Sequence, residues 1–311
     1  MEFNHEPVLL GEVLAYLNVR EDGTYVDGTL GGAGHSFKIV QKLGNGRLIG
    51  IDQDDDALEA AGKRLSIFSD KAKLVKGNFA NAPAILKDLG IEKVDGILLD
   101  VGVSSYQLDN PERGFSYRED ALLDMRMDKD APVSAMDVVN GYSREDLVRI
   151  LRDYGEEKFA SAIATNLVVE REKKPIRTTR ELVEIVRKSI PASVRKGREG
   201  FAGKTFQALR IEVNSELDVL KGSIGPLIDV LAPGGRLLII TFHSLEDRIV
   251  KNEFKKAQDP CTCPPNFPEC RCGAVSKGKV VTRKPVVPTP EEIARNKRSS
   301  SAKLRVFEKT K

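Results

Sequence analysis

The chain has 311 residues, of which 41% are hydrophobic and 31% charged, with a formal net charge of +3. This is a globular composition, long enough for one large domain or two modest ones. No run approaches the roughly 20 consecutive apolar residues that cross a bilayer. The opening Met1-Glu2-Phe3-Asn4-His5-Glu6 lacks the basic flank and apolar core of a secretory signal, so the expected location is the cytoplasm.

After Pro7, the apolar residues Val8, Leu9, Val13, Leu14 and Leu17 recur at helical spacing and predict an amphipathic helix. Residues 24–27 form a short strand running into a glycine cluster. A helix over 35–43, a strand over 47–52, a helix over 55–67, a strand over 73–76, a helix over 83–89 and an apolar strand over 94–100 follow. Such alternation specifies a parallel sheet covered on both faces. It then stops. Between 111 and 213 the patterns are helical, over 144–154, 157–171 and 179–189, with a further helix expected over 205–220. Strand patterning resumes at 236–242, after the turn Pro233-Gly234-Gly235. Residues 304–307 are expected as an edge strand. The expected organisation is a discontinuous α/β domain, 1–110 and 214–311, interrupted by an all-helical insert over 111–213.

Charge is unevenly spread. Residues 172–210 carry eleven Lys and Arg against four Glu, and the segment after Val275 is also basic. Such stretches draw a phosphate backbone or form solvated helix faces. Beside a nucleotide-type fold they point to nucleic acid. All four cysteines, Cys261, Cys263, Cys270 and Cys272, fall in one short segment. Two Cys-x-Cys pairs can close around a structural zinc, or stand as four reduced thiols in a surface loop. The spacing leaves both open, and no metal ligand is assigned.

The chemistry gathers at strand ends. Asp27-Gly28-Thr29-Leu30-Gly31-Gly32-Ala33-Gly34-His35 is a strand, a glycine loop and a helix start, which lets backbone approach a ligand. Phe37 stands where the nicotinamide fingerprint needs its third glycine, which argues against a dehydrogenase. Asp52 ends the second strand, where an acid can accept both hydroxyls of a ribose. Asp54 and Asp55 are at hand to cap the next helix. Phe79 follows the third strand and offers an apolar face to an adenine. Asp100 ends the fourth, ahead of Gly102 and the small hydroxylated Ser104 and Ser105. No Gly-x-x-x-x-Gly-Lys-Ser/Thr is present, so a P-loop is excluded. Glycine loop, acid, Phe and Asp on successive strand ends fit an adenosyl ligand whose sulfonium carries no phosphates.

These blocks together closely resemble the MraW (RsmH) family. The resemblance is carried by His5-Glu6-Pro7-Val8-Leu9, Asp27-Gly28-Thr29, Gly34-His35-Ser36, Asp100-Val101-Gly102-Val103-Ser104-Ser105, Arg113-Gly114-Phe115-Ser116 and Leu123-Asp124-Met125-Arg126-Met127-Asp128. Further blocks are Tyr154-Gly155-Glu156-Glu157, Thr205-Phe206-Gln207-Ala208-Leu209-Arg210 and Phe242-His243-Ser244-Leu245-Glu246-Asp247-Arg248. It runs from about His5 to Val250 and resumes over 285–301. It implies a Rossmann-like class I S-adenosylmethionine-dependent methyltransferase fold with a helical insertion. It also implies N4-methylation of a cytosine in the decoding centre (P-site) of 16S ribosomal RNA. The implied cofactor contacts are Ala33, Gly34, His35, Asp52, Phe79, Asp100 and Gln107. The cysteine-rich loop is not general to the family, so nothing about it follows from the resemblance.

The expected reaction is an in-line attack of an amine on the sulfonium methyl, with alignment contributing several kcal/mol. No enzyme nucleophile is needed. An acceptor for the amine hydrogens would stabilise charge developing on nitrogen; Asp100, Ser104, Ser105, His243 and Asp247 are candidates. The target base must be splayed out of structured RNA, with Arg113, Arg126, Arg210 and the basic insert expected to hold the backbone of 16S rRNA or the small subunit. Asp124–Asp128 reads as a packed, ion-paired turn. Two rivals differ in class. A DNA amino-methyltransferase would carry Asn/Asp-Pro-Pro-Tyr where Asp100 is followed by Val-Gly-Val. A non-catalytic RNA-binding assembly factor would not retain both Asp52 and Asp100.

Overall fold

The computed structural model describes residues 7–195, 200–264 and 271–311. The chain divides into two compact units, Met1–Gly102 with Leu217–Lys311, and Val103–Glu216. The expected insert, 111–213, lies within the second.

In the first unit, α1 (Leu10–Leu17) leads to β1 (Thr24–Asp27), α2 (Gly34–Val40), β2 (Arg47–Asp52), α3 (Asp55–Leu65), β3 (Ala72–Lys76), α4 (Ala82–Asp88) and β4 (Val94–Asp100). The second unit holds α5 (Ser105–Asp109), α6 (Ala135–Gly141), α7 (Arg144–Asp153), α8 (Ala160–Lys173), α9 (Thr179–Ser189), α10 (Ala192–Arg195) and α11 (Gly203–Asn214). The chain continues through α12 (Glu216–Asp229), β5 (Leu231–Thr241), α13 (Ser244–Gln258), β6 (Gly278–Val280), α14 (Pro290–Arg295) and β7 (Lys303–Lys309).

The seven-stranded sheet has the order β3-β2-β1-β4-β5-β7-β6. β1 through β5 are mutually parallel, and β7 pairs antiparallel with both β5 and β6. Side chains alternate across the sheet as a two-residue period requires. Ile97 and Leu99 of β4 and Leu237 and Ile239 of β5 pack on one face, while Leu98, Leu238 and Ile240 pack on the other. Because both faces are buried, the strands read as continuous apolar runs. The strand order reverses direction between β1 and β4. Open α/β sheets bind ligands outside the carboxyl ends at such a point.

The second unit has its own core. Leu147, Ile150 and Leu151 of α7 meet Ile163, Ala164 and Leu167 of α8, Leu182, Ile185 and Val186 of α9, and Phe206 and Leu209 of α11. Its β structure among the described residues is one isolated bridge, Leu122 to Thr178. Capping boxes start two of its helices, Ser134 with Asp137 at α6 and Thr178 with Glu181 at α9.

Two expectations about elements are corrected. The helix read over 205–220 is two, α11 and α12, because Ser215 takes a left-handed conformation at φ 49°. Residues 304–307 are not an edge strand; β6 pairs outside β7.

Candidate active site

Three carboxylates stand at the carboxyl ends of β1, β2 and β4, and their hydrogen bonds differ. Asp27 is buried and accepts from Ser36 Oγ at 2.7 Å and from the Thr29 amide at 3.2 Å. Asp52 accepts the Gly31 amide at 2.7 Å on Oδ2 and the Asp54 amide at 2.9 Å on Oδ1. The cap of α3 is Asp54, whose side chain accepts from the Asp56 amide, so Asp52 is not the capping residue. Asp100 is placed by its own backbone, whose N–H donates to Thr29 Oγ1 at 2.6 Å. Its Oδ2 lies 3.9 Å from His35 Nδ1. Its Oδ1 is buried with no hydrogen-bond partner among the described residues.

Burial pushes all three carboxyls up to about 6, since a desolvated carboxylate resists ionisation. Hydrogen bonds offset part of this at Asp27 and Asp52, and His35 offsets part at Asp100. Mutual repulsion adds to the rise, as Asp27 acts on both of the others.

The glycine loop is shaped by the protein as much as by any ligand. A Cβ on Gly28 would sit 2.5 Å from Leu99 Cδ2 and 2.9 Å from Phe79 Cβ, so strand packing demands glycine there. A Cβ on Gly34 would meet Pro7 Cγ at 2.7 Å. Gly31 (φ 49°) has no such neighbour; its left-handed backbone aims an amide at Asp52. Ala33, also left-handed at φ 57°, precedes α2 with its side chain fully buried. His35 Nε2 donates to the Val8 carbonyl at 2.9 Å, which fixes the tautomer and leaves Nδ1 facing Asp100. Phe79 begins the short 3-10 turn after β3 and packs beside Gly28.

At the end of β5, Glu246 accepts from the amides of Phe242 and His243 at 2.7 and 3.2 Å. The His243 ring nitrogens are buried. Nε2 lies 3.0 Å from Glu246 Oε1, but without the alignment of a hydrogen bond, and neither ring nitrogen has a hydrogen-bond partner among the described residues. β4 and β5 are in register at Asp100 and Ile240, so these two groups lacking hydrogen bonds end adjacent strands.

Other expected site residues take different parts. In the second unit, Ser104 caps α5: its Oγ accepts the Gln107 amide at 3.2 Å, and Gln107 Oε1 accepts the Ser104 amide at 3.0 Å. Ser105 is the first residue of that helix. Asp247 is held in an ion pair with Arg305, at 2.6 and 3.1 Å, and lies 3.7 Å from Lys303. Burial raises its carboxyl, yet these cations hold it below the usual range, so it is no free acceptor.

The arginines expected to grip RNA are also engaged internally. Arg113 is buried and donates from Nη2 to the carbonyls of Arg126 and Met127. Arg126 forks onto Asp124 and donates to the Ala131 carbonyl. Arg210 pairs bidentately with Glu216 at 2.8 and 2.9 Å. A guanidinium has five donors, and a buried one is retained where carbonyls and carboxylates satisfy them. The Asp124–Asp128 turn is the packed, ion-paired turn read from its sequence.

Two site residues escape sequence reasoning. Asp27 stands in the glycine-loop motif, but its pattern assigns it no role, and Glu246 orders the β5 end. The signal for Glu246 is its place three residues after His243 at a helix start.

Comparison with known proteins matches residues 2–310 to the MraW methylase family. The ribosomal RNA small subunit methyltransferase H 2 of Agathobacter rectalis is 58% identical, covering 99% of each chain. The ribosomal RNA small subunit methyltransferase H of Lachnospira eligens is 58% identical over 99% of this chain and 98% of its own. That of Finegoldia magna is 55% identical over 99% of each. A match of this extent, on a reversed parallel sheet with three carboxylates at its switch point, has one reading: the chain belongs to the MraW methylase family, S-adenosylmethionine-dependent methyltransferases of Rossmann-like fold.

Proposed function

We propose that this chain methylates the exocyclic N4 of a cytosine in the decoding centre of 16S ribosomal RNA, with S-adenosylmethionine as donor. The observation that carries the reading is the bare Oδ1 of Asp100. A buried carboxylate oxygen without a donor costs about 1–3 kcal/mol or more. It is retained where a ligand supplies the donor or a positive charge. The names of the relatives support ribosomal RNA as substrate.

The residues present fit the donor. Asp52, with each oxygen already turned by a backbone amide, has its remaining lone pairs free to accept the two ribose hydroxyls. Phe79 offers an apolar face for the adenine. Ala33, Gly34 and His35 bring backbone to the ligand. When bound, S-adenosylmethionine supplies a methyl group activated by a positively charged sulfur. Three carboxylates at the switch point favour that charge.

Asp100 Oδ1 accepts a hydrogen bond from the target amine, turning the nitrogen lone pair toward the methyl. As charge develops on nitrogen, the same oxygen stabilises it. Thr29 holds the Asp100 backbone in place, and His35 Nδ1 stands 3.9 Å from its carboxylate. His243 provides a second buried polar group at the adjacent strand end, assigned to the substrate side. Ser104 positions α5 as its cap.

The test is mass mapping of 16S ribosomal RNA from a strain lacking the protein, complemented with wild type or Asp100→Ala. Wild type restores a methyl on one cytosine N4. Asp100→Ala lowers transfer by orders of magnitude in vitro, well beyond its weakening of donor binding, while the fold persists. A map unchanged by loss of the protein, or full activity in the variant, overturns the reading.

A further inference from the structure

The cysteine-rich loop takes no part in the methyltransferase reading, yet its thiols converge. Cys261, Cys263 and Cys272 place their Sγ atoms within 4.8 Å of one another. The Sγ atoms of Cys261 and Cys272 are 3.8 Å apart. A disulfide would need about 2.05 Å. Four thiolates at about 2.3 Å from a tetrahedral zinc lie about 3.8 Å from each other along the tetrahedron's edges. The observed separation is that of two ligands of one ion.

We infer that Cys261, Cys263 and Cys272 bind a structural zinc ion. The loop's composition gives the physical reason. It joins α13 to β6, and among its described residues between 260 and 276 none is buried; Val275 is 68% exposed. Residues so exposed have little buried apolar area to offset their conformational entropy. Its neck is tied, since the Lys277 amide donates to the Ala257 carbonyl at 2.9 Å and the Val280 amide to Gln258 Oε1 at 2.7 Å. A metal cross-link ties Cys261 and Cys263 on one side of the loop to Cys272 on the other. Each coordinating thiol loses its proton to solvent as its sulfur–zinc bond forms, with no change of oxidation state. Cys270 lies outside the described residues.

The test uses the full-length chain purified without chelator. Elemental analysis is expected to find about one zinc per chain, as a single four-coordinate site requires. Cobalt exchanged into the site is expected to show sulfur-to-cobalt charge transfer and the visible bands of a tetrahedral ion. Cys261→Ser, Cys263→Ser and Cys272→Ser each drop the zinc to below about a tenth per chain. The circular dichroism of the variants stays that of wild type while protease cuts the 260–276 loop faster. The cobalt spectrum is read on wild type, so a variant that fails to fold does not decide the matter. Less than about a tenth of a zinc after reconstitution overturns the site. So does a cobalt spectrum without thiolate bands, a disulfide among these cysteines in the freshly purified protein, or iron with inorganic sulfide in place of zinc.

Discussion

Asp27, Asp52 and Asp100 differ in what each oxygen touches, and their roles follow from that. Asp27 is closed off by Ser36 and Thr29 and acts through charge and packing. Asp52 keeps lone pairs for a diol, and Asp100 keeps a whole oxygen. All three are pushed up to about 6, so the site gains negative charge as pH rises through that value. A cationic donor prefers the ionised site. If one proton is linked to binding, affinity for S-adenosylmethionine is expected to be about tenfold weaker at pH 5 than at pH 7. S-adenosylhomocysteine, whose sulfur is neutral, is expected to change less. Titration calorimetry across that range checks both, and a pH-independent affinity for the cation contradicts the charge-matching role. Asp52 and Asp100 are legible in sequence because an acid at a strand tip before a turn is conspicuous. Asp27 is hidden because its carboxylate bonds residues two and nine positions away, which no spacing rule announces.

Elements are readable where burial imposes a period and obscure where a single backbone angle decides. The strands β1 to β4 and the helices α7 and α9 follow their apolar patterns, because each presents a face to a core. The break between α11 and α12 has no such signal. Asn214, the residue better suited to a left-handed turn, stays helical because its amide bridges the loop below, accepting from the Met127 amide and donating to the Met125 carbonyl. Ser215 takes the turn instead. Replacing it with glycine is therefore expected to stabilise the chain by up to about 1 kcal/mol, a raised denaturation midpoint being the readout. β6 escapes for a different reason. Three residues, Gly278-Lys279-Val280, are too few for a period to show, and without them β7 looks like an edge. The capping box of α9 allows the opposite test: Thr178→Ala is expected to cost about 1 kcal/mol, measured by urea unfolding.

On the scale of the molecule, the halt in alternation after β4 announces an insert, because a core of helices cannot continue a sheet's period. What composition suggests about charge needs revision. Arg180 and Arg187 of the basic stretch face Asp120 and Glu184, Lys174 pairs with Glu181, and Lys277 and Lys279 near the end pair with Asp229 and Glu308. Such exposed pairs are worth little and exchange readily for phosphate. The stronger electrostatic consequence lies in stability. A carboxyl whose folded value is raised holds its proton longer in the native state. The stability it contributes is fully present below its unfolded value, near 4, and is lost as pH climbs through about 6. Carboxyls held low by partners, such as Asp124 and Asp247, act the other way, and only at lower pH. Between about pH 4.5 and 6.5 the three strand-end acids therefore dominate. The donor-free chain is expected to lose stability across that window, by several kcal/mol at most, since a tenfold change in proton affinity is worth about 1.4 kcal/mol. Saturating S-adenosylmethionine is expected to return an increasing share of the loss as pH rises, and Asp27→Asn to make the donor-free decline shallower. Urea unfolding at successive pH values, with and without donor, measures all three. A donor-free stability that climbs through the window would mean that these carboxylates ionise freely, and the electrostatic account of the site would fail with it.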